Sequence, residues 1–187
     1  MKKMILGLAA LFCLTVASAQ ERGQVWMGGS IGFSTSKVDI DGADRTTNFN
    51  IMPEVGYQFS DNWAVGIRLG YGRTNNEDLG KIDAFTVNPF ARYSFFKGNI
   101  GSLFVDGGVG YTYGKVKSTD AKTNMFEVGF RPGVCVNLSQ SLQLTGRFGF
   151  LGYQHENVKR GDAKVKTNSF AADFDLSQIM LGLNFKF

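Results

Sequence analysis

Residues 54–71 read EVGYQFSDNWAVGIRLGY, and this stretch decides the fold class. Apolar side chains occupy every second position on both sides of the polar tripeptide Ser-Asp-Asn. Because successive side chains of a β-strand point to opposite faces, this period predicts two strands joined by a tight turn. If Phe59 pairs with Trp63 across the turn, Glu54 lies opposite Arg68 on the polar face.

The same alternation recurs along the chain and predicts eight strands of about ten residues each. Short and long connections alternate between them, and short periplasmic turns with longer outer loops are typical of outer-membrane barrels. The predicted fold class is all-β, an eight-stranded antiparallel up-and-down transmembrane β-barrel. The segments lie at about 24–34, 49–59, 63–72, 85–95, 102–113, 126–138, 142–150 and 178–187, with short connections at 60–62, 97–101 and 139–141 and long ones at 35–46, 74–83, 116–123 and 154–168.

Two irregularities interrupt this pattern. Pro53, Pro89 and Pro132 lie inside predicted strands and lack the N–H that a ladder hydrogen bond needs, so we expect a bulge or a local edge at each. Residues 168–176 have the opposite parity to the last strand. Either a bulge near Ser177 shifts the register, or this stretch extends above the membrane.

The N-terminus has the layout of a secretory signal peptide. Two lysines precede an apolar run at 4–16, and the small-residue segment Ala-Ser-Ala follows and ends at position 19. The alternative is an anchor helix, but the run is shorter than the roughly 20 residues that span a bilayer. We therefore predict a signal peptide at 1–19 and a single outer-membrane β-barrel domain at 20–187.

Charge and cysteine content exclude several classes of protein. Cleavage would remove Lys2 and Lys3 and lower the formal net charge from +4 to +2, which gives no reason to expect a nucleic-acid partner. Cys135 would then be the only cysteine and could form no intramolecular disulfide. With one histidine, one cysteine and no complete calcium-loop pattern in the first long connection, we expect neither a metal site nor a cofactor.

The placement of aromatic residues favours a membrane barrel over a soluble one. A soluble barrel also alternates, but it turns its apolar face inward. Here aromatic side chains gather at both ends of the apolar face, as they do at the two interfaces of a bilayer. The predicted interface aromatics are Tyr57, Phe59, Trp63, Tyr93 and Phe95 near the short turns, and Tyr71, Tyr111 and Tyr113 near the long loops.

The opposite face carries charges among many glycines, which suits a narrow lumen. Pairing Phe95 with Leu103 across the second short connection would place Arg92 opposite Asp106, a second opposite-charge pair. Since an eight-stranded barrel is just wide enough to be filled by side chains, we predict a plugged lumen with a charge network. The predicted network consists of Glu54, Arg68, Arg92, Asp106, Glu127, Arg131 and Arg147, with Phe90 and Phe104 as further obstruction.

The chain resembles the small OmpX/OmpA-like outer-membrane barrels, the porin-like outer membrane protein β-barrel family. The resemblance covers about 24–187 and rests on the eight segments and on the alternating C-terminus. It implies a bacterial outer-membrane location and contact with outer-membrane lipid and lipopolysaccharide. It also implies recognition by the barrel-assembly machinery of a C-terminal signal that ends in Phe, here formed by Leu181, Leu183, Phe185 and Phe187.

For function, the sequence favours a non-enzymatic, monomeric barrel with a structural or surface-interaction role in the cell envelope. Three alternatives stay open: a narrow porin for ions or small solutes, a lipid-A-modifying enzyme, and a soluble periplasmic lipid-binding barrel. The only histidine, His155, lies in a polar stretch with no nearby serine, which is typical of a solvated loop residue. Candidate lipopolysaccharide contacts are the cations of the fourth long loop, Lys159, Arg160, Lys164 and Lys166.

Overall fold

The computed structural model describes residues 23–37, 45–76, 80–116, 121–160, 163–173 and 180–187. Within these ranges the regular structure is entirely β, with ten strand segments. The strands are β1 (Gln24–Lys37), β2 (Arg45–Gln58), β3 (Trp63–Asn76), β4 (Gly80–Lys97), β5 (Gly101–Val116), β6 (Lys122–Asn137), β7 (Leu142–Arg147), β8 (Phe150–Arg160), β9 (Ala163–Asp173) and β10 (Met180–Lys186).

These strands close into an antiparallel barrel with eight strand positions. Sequential neighbours pair from β1 to β7, and β10 returns to pair with β1. The short β7 and the longer β8 both pair with β6 and together fill one position. In the same way, β10 pairs with β7 and β9 pairs with β8, so β9 and β10 together fill the eighth position. The predicted eight-stranded, all-β barrel is therefore confirmed.

The ladders are irregular at all three prolines, with a gap in the pairing at two of them and a bulge opposite the third. The β2–β3 register is the same on both sides of Pro53, and the β4–β5 register is the same on both sides of Pro89. Pro132 lies within an unbroken register opposite Val105 of β5, but on its other side the register of β6 shifts by one residue between Gly133, which pairs with Arg147, and Phe130, which pairs with Leu151. The expectation of a bulge or a local edge is therefore confirmed: a proline removes one N–H, which costs one hydrogen bond toward one neighbour, and here the missing bond appears as a local edge at Pro53 and Pro89 and beside a bulge at Pro132.

A further bulge occurs near a short turn, at a position without proline. The register of β4 against β5 shifts between Ser94 and Phe96, so Leu103 pairs with Phe96 and not with Phe95 as predicted. Phe95 is the extra residue of this β-bulge, and both neighbouring phenylalanine side chains are exposed. Because the shift is confined to the turn end, Arg92 still pairs with Asp106.

A second irregularity separates β7 from β8 and corrects the prediction for Phe150. The alternation of its segment predicts an outward position, but its side chain is buried in the barrel. Gly149 has a φ of 69° and interrupts the strand, which reverses the parity of all that follows. The interruptions of the two neighbouring strand positions differ in length. Two residues lie between Arg147 and Phe150, whereas six lie between their respective partners, Met180 and Asp173. Of the alternatives given for residues 168–176, the bulge near Ser177 lies outside the described residues.

The fourth long connection is also more ordered than predicted. Residues 154–168 were expected to be a loop, yet β8 and β9 pair through this stretch up to Arg160 and Ala163. The strands continue because backbone pairing does not require an apolar face. The sequence did not predict them because polar side chains on both faces leave no alternation of apolar and polar residues. His155 therefore lies in a strand, opposite Phe126 on one side and Asn168 on the other.

The two faces of the barrel have opposite chemistry. Large apolar side chains on every strand position point outward and are exposed, among them Ile31, Phe85, Phe130 and Leu181. The buried interior holds charged and amide side chains. Glycines allow bulky inward residues to fit, since a Cβ on Gly133 would meet the Phe104 ring.

Candidate functional site

The candidate site is a cluster of five charged side chains in the middle of the lumen. Each comes from the inward face of a different strand: β2, β3, β4, β5 and β7. The expected register pairs Glu54–Arg68 and Arg92–Asp106 are both present. Glu54, Arg68, Asp106 and Arg147 are only 2–3% exposed, so the cluster is shielded from solvent.

Asp106 is the hub of this cluster. Arg92 donates to both of its oxygens, from Nε to Oδ1 at 2.7 Å and from a terminal nitrogen to Oδ2 at 3.0 Å. Arg68 and Arg147 donate to Oδ2 at 3.0 and 3.1 Å. One carboxylate thus joins three guanidinium groups, and such charge-assisted bonds are among the strongest in proteins.

Glu54 forms the second anchor on the opposite side of the lumen. Arg147 donates to its Oε2, while the Asn184 amide and the Trp26 indole donate to Oε1 at 2.8 and 3.2 Å. Asn184 also donates to Thr145, which is fully buried. Arg147 therefore bridges the two carboxylates and connects the walls of the barrel across its axis.

The central cluster carries an excess of positive charge. Three arginines face two carboxylates, which leaves one net positive charge among these five groups. Within the described residues, Arg68 Nε is buried without a hydrogen-bond partner and lies 4.0 Å from Glu54 Oε2. An uncompensated charge in a low-dielectric interior is costly, so the remaining contacts of the arginines matter for stability.

Aromatic rings provide those further contacts and complete the plug. The Arg92 guanidinium lies 3.8 Å from the centre of the Phe104 ring, and that of Arg68 lies 4.1 Å from the centre of the Phe90 ring. Both distances are within the range of cation–π attraction. Phe104 is 1% exposed and Phe90 5%, so the rings fill the space that the charged heads leave open.

Sequence reasoning omitted several members of this site. Trp26 was the one exception to the alternation in its strand, and that irregularity was the available signal for an inward aromatic residue. Asn184 and Thr145 occupy inward positions, but a small polar residue there is too common to indicate a partner for a carboxylate. Phe150 was assigned to the wrong face because the break at Gly149 was not recognised.

Two predicted network residues form a pair of their own. Arg131 donates to both oxygens of Glu127 at 2.9 Å, four residues away on the same strand. Its guanidinium lies 4.5 Å from the centre of the Phe150 ring. The structure thus brings five of the seven predicted residues into one cluster and places Glu127 and Arg131 in a neighbouring layer.

A polar cavity of about 220 Å³ lies between this plug and the short-turn end of the barrel. Its basic lining residues are Arg92, Lys97 and Lys186, and glutamine, asparagine and serine side chains form much of the remainder. Among the described lining residues there is no carboxylate. This vestibule would attract anions more than cations.

The predicted interface aromatics lie on the outer face. Trp63 and Tyr93 stack with their ring centres 4.8 Å apart near the short-turn end. Tyr57, Phe59, Trp63, Phe95, Tyr71, Tyr111 and Tyr113 are exposed, and Tyr93 is partly buried. On the terminal strand, Leu181, Leu183, Phe185 and Phe187 also point outward and are exposed.

The polar contacts near the long-connection end are solvent-accessible. Arg73 donates to Asp83 at 2.7 Å beyond the outer aromatics, and this hydrogen bond raises the pKa of the Arg73 guanidinium. His155 Nδ1 is hydrogen-bonded to Asn168 at 2.5 Å. Lys159, Lys164 and Lys166 are exposed, whereas the side chain of Arg160 lies outside the described residues.

Two further features are absent from the described ranges. No group of three or more metal-ligating side chains is close enough together to hold an ion. The described residues also contain no helix that is long and apolar enough to cross a membrane.

Comparison with known proteins identifies the family. A family model described as "Outer membrane protein beta-barrel domain" matches residues 4–187, so this chain belongs to that family and is a bacterial outer-membrane protein. The alternative of a soluble periplasmic barrel is thereby excluded. A search of curated proteins gave no match.

Solved structures show the same fold at low sequence identity. The outer membrane protein OprG from Pseudomonas aeruginosa is 16% identical with a TM-score of 0.55, over 89% of this chain and 97% of that one. A major outer membrane protein from Thermus thermophilus is 13% identical with a TM-score of 0.50, over 89% of this chain and 100% of that one. At these identities the likeness concerns the fold alone.

Proposed function

We propose that this member of the outer membrane protein β-barrel family is a non-enzymatic, monomeric structural barrel with a closed lumen. The barrel anchors the chain in the outer membrane, where lipid and lipopolysaccharide surround it. The hairpin of β8 and β9 would be presented at the cell surface for contact or envelope integrity, since its strands stay paired up to Arg160 and Ala163 at the long-connection end.

The bridging position of Arg147 carries this proposal. Its guanidinium contacts both Asp106 and Glu54, which project from different walls of the barrel. Phe104 and Phe90 fill the space beside the charged heads. An eight-stranded barrel has little interior volume beyond its side chains, so this layer would block the passage of solutes.

Single-channel recording tests the proposal directly. The refolded protein in planar bilayers should give no unitary current steps at moderate voltage. Arg147→Ala shortens the bridging side chain and should produce small steps, whereas the matched control Arg73→Ala, which changes an arginine outside the lumen, should stay silent. Regular unitary steps from the unaltered protein would overturn the closed-lumen proposal.

The net positive charge of the lumen supports a second candidate, a narrow path for small anions. The cluster has three arginines against two carboxylates, and the vestibule below it is basic. If the unaltered protein does conduct, its reversal potential in a salt gradient should indicate anion preference. A cation preference would contradict this second candidate as well.

An enzymatic role has weaker support from the geometry. His155 is hydrogen-bonded to Asn168 on the outer face, and the described contacts give it no carboxylate or serine partner. We expect His155→Ala to leave the lipid A pattern of the producing cell unchanged when it is analysed by mass spectrometry. A lost or altered lipid A species would contradict the non-enzymatic assignment.

A further inference from the structure

Four lysines lie side by side across the strands at the long-connection end of the barrel. In the register of the sheet, Lys115 is opposite Lys122, Lys122 is opposite Lys159, and Lys159 is opposite Lys164. All four side chains are exposed. They share the outward face with Phe126 of β6, since strand residues an even number apart point the same way. We call these four residues the lysine row.

Like charges in directly opposed positions repel one another, so the lysine row favours a negatively charged group beside it. Lys115 adjoins Asp83 of β4, which supplies one negative group at the end of the row. Among the described residues, no ion pair involves Lys122, Lys159 or Lys164, and a further exposed cation lies two residues away at position 166. The other three lysines of the row therefore face outward without a described protein carboxylate.

Below the lysine row, the same strands carry an apolar groove of about 840 Å³ on the membrane-facing surface. Its floor is formed where Ala91 and Gly107 present almost no side chain outward. Its lining is nearly free of polar atoms. The walls are formed by Trp63 and Tyr93 on one side and by Phe130, Tyr153 and Phe170 on the other.

The vertical separation of these two features matches one leaflet of a bilayer. Lys159 lies six positions after Tyr153 along β8, which is about 20 Å of strand and about 15 Å along the barrel axis after tilt. The hydrocarbon core is about 30 Å thick, so one leaflet is about 15 Å. A lipid whose phosphates contact the lysine row would thus bring the ends of its acyl chains to the groove.

We propose that the lysine row and the groove together bind one phosphorylated glycolipid of the outer leaflet, the lipid A part of lipopolysaccharide. Strands are about 4.8 Å apart, so Lys122, Lys159 and Lys164 extend over about 10 Å. That width fits a headgroup with phosphates at both ends of a disaccharide better than a single phosphodiester. The inference rests on the membrane location and is independent of the closed lumen.

Native mass spectrometry of the protein in a neutral detergent tests this site, with diphosphorylated lipid A as the probe. The variant K159Q/K164Q should bind it about 25-fold more weakly, since a lysine near an anionic membrane surface contributes about 5-fold. The control K81Q removes an exposed lysine of β4 at the same end of the barrel but outside the lysine row, and it should bind as the unaltered protein does. Equal affinity of K159Q/K164Q and the control would overturn the proposal.

Two further probes separate lipid A from other membrane lipids and test the groove. Dephosphorylated lipid A should bind at least 10-fold more weakly than the diphosphorylated form. Phosphatidylglycerol that binds as tightly as lipid A would overturn the choice of ligand. Ala91→Leu fills the groove floor and should weaken binding several-fold while the unboiled protein keeps its folded mobility on a gel, and unchanged binding would overturn the role of the groove.

Discussion

The lumen cluster and the lysine row are both groups of charged side chains on neighbouring strands, but they are balanced in different ways. In the lumen, each arginine contacts a carboxylate of the same chain, and Arg147 contacts two. In the row, Lys122, Lys159 and Lys164 face one another on the surface. The comparison shows that the buried charges need oppositely charged partners within the protein, whereas the exposed lysines do not.

Solvent access explains this difference. A buried ion loses several kcal/mol of hydration that an exposed ion keeps, so the lumen tolerates charges only when hydrogen bonds replace water. At the surface, water, salt and lipid phosphates screen repulsion between lysines. The same substitution, from a charged to a neutral side chain, should therefore have opposite consequences in the two regions.

Arg147→Ala should have the largest effect. It leaves Glu54 and Asp106 each without one partner in a buried site, which should lower the free energy of unfolding by about 3–5 kcal/mol. Urea unfolding in lipid vesicles, followed by tryptophan fluorescence, measures this change. A loss below about 1 kcal/mol would mean that water enters the lumen and replaces the missing contacts.

Phe104→Ala should rank close behind. This ring is 1% exposed and lies against Arg92 at 3.8 Å, so truncation leaves a cavity and removes a cation–π contact. Truncation of a buried phenylalanine costs about 3–5 kcal/mol, and we expect the lower end because the arginine side chain can shift into the space. The same unfolding assay applies, and Phe95→Ala on the outer face serves as the control that should change little.

Trp26→Phe should have an intermediate effect. It keeps most of the ring but removes the indole N–H that donates to Glu54, a charge-assisted bond at 3.2 Å. We expect a loss of about 1–3 kcal/mol in the free energy of unfolding. A value near zero would indicate that Asn184 and Arg147 satisfy the carboxylate by themselves.

K159Q/K164Q should have the smallest effect on stability, and in the opposite direction. Removal of two opposed cations relieves repulsion at an exposed site, so the free energy of unfolding should rise by up to about 0.5 kcal/mol in low salt. The gain should disappear in high salt, where screening already removes the repulsion. A clear loss of stability would contradict the picture of an unbalanced surface charge row.

Much of the barrel follows from the alternation and the turn lengths. The short turn between Phe59 and Trp63 determined that Glu54 faces Arg68, and strand parity determined which residues point inward. The inward orientation of the Phe150 side chain could not be predicted in the same way. A single extra residue reverses parity, and Gly149 gave no sign in a chain that contains 24 glycines.

The contacts between charged residues in the lumen could not be predicted from strand register alone. Arg147 is 93 residues from Glu54 in the chain, and the two are brought together only when β10 closes the barrel between β7 and β1. A sequence pattern predicts which face a charge occupies, but not which distant charge lies across the axis. The separate Glu127–Arg131 pair illustrates the same point. Strand parity predicted that these two residues face the lumen like the five residues of the central cluster, but not that they form a pair of their own.

The sequence alone determined the alternation of apolar and polar faces, the aromatic ends and the charged interior, because each depends on side-chain chemistry at a period of two residues. The tertiary structure alone decided that Arg147 bridges two carboxylates, that Phe150 turns inward, and that four lysines from separate strands form one row. These features depend on barrel closure and on local interruptions of the strands. Their geometry arises from contacts between residues that are far apart in the chain.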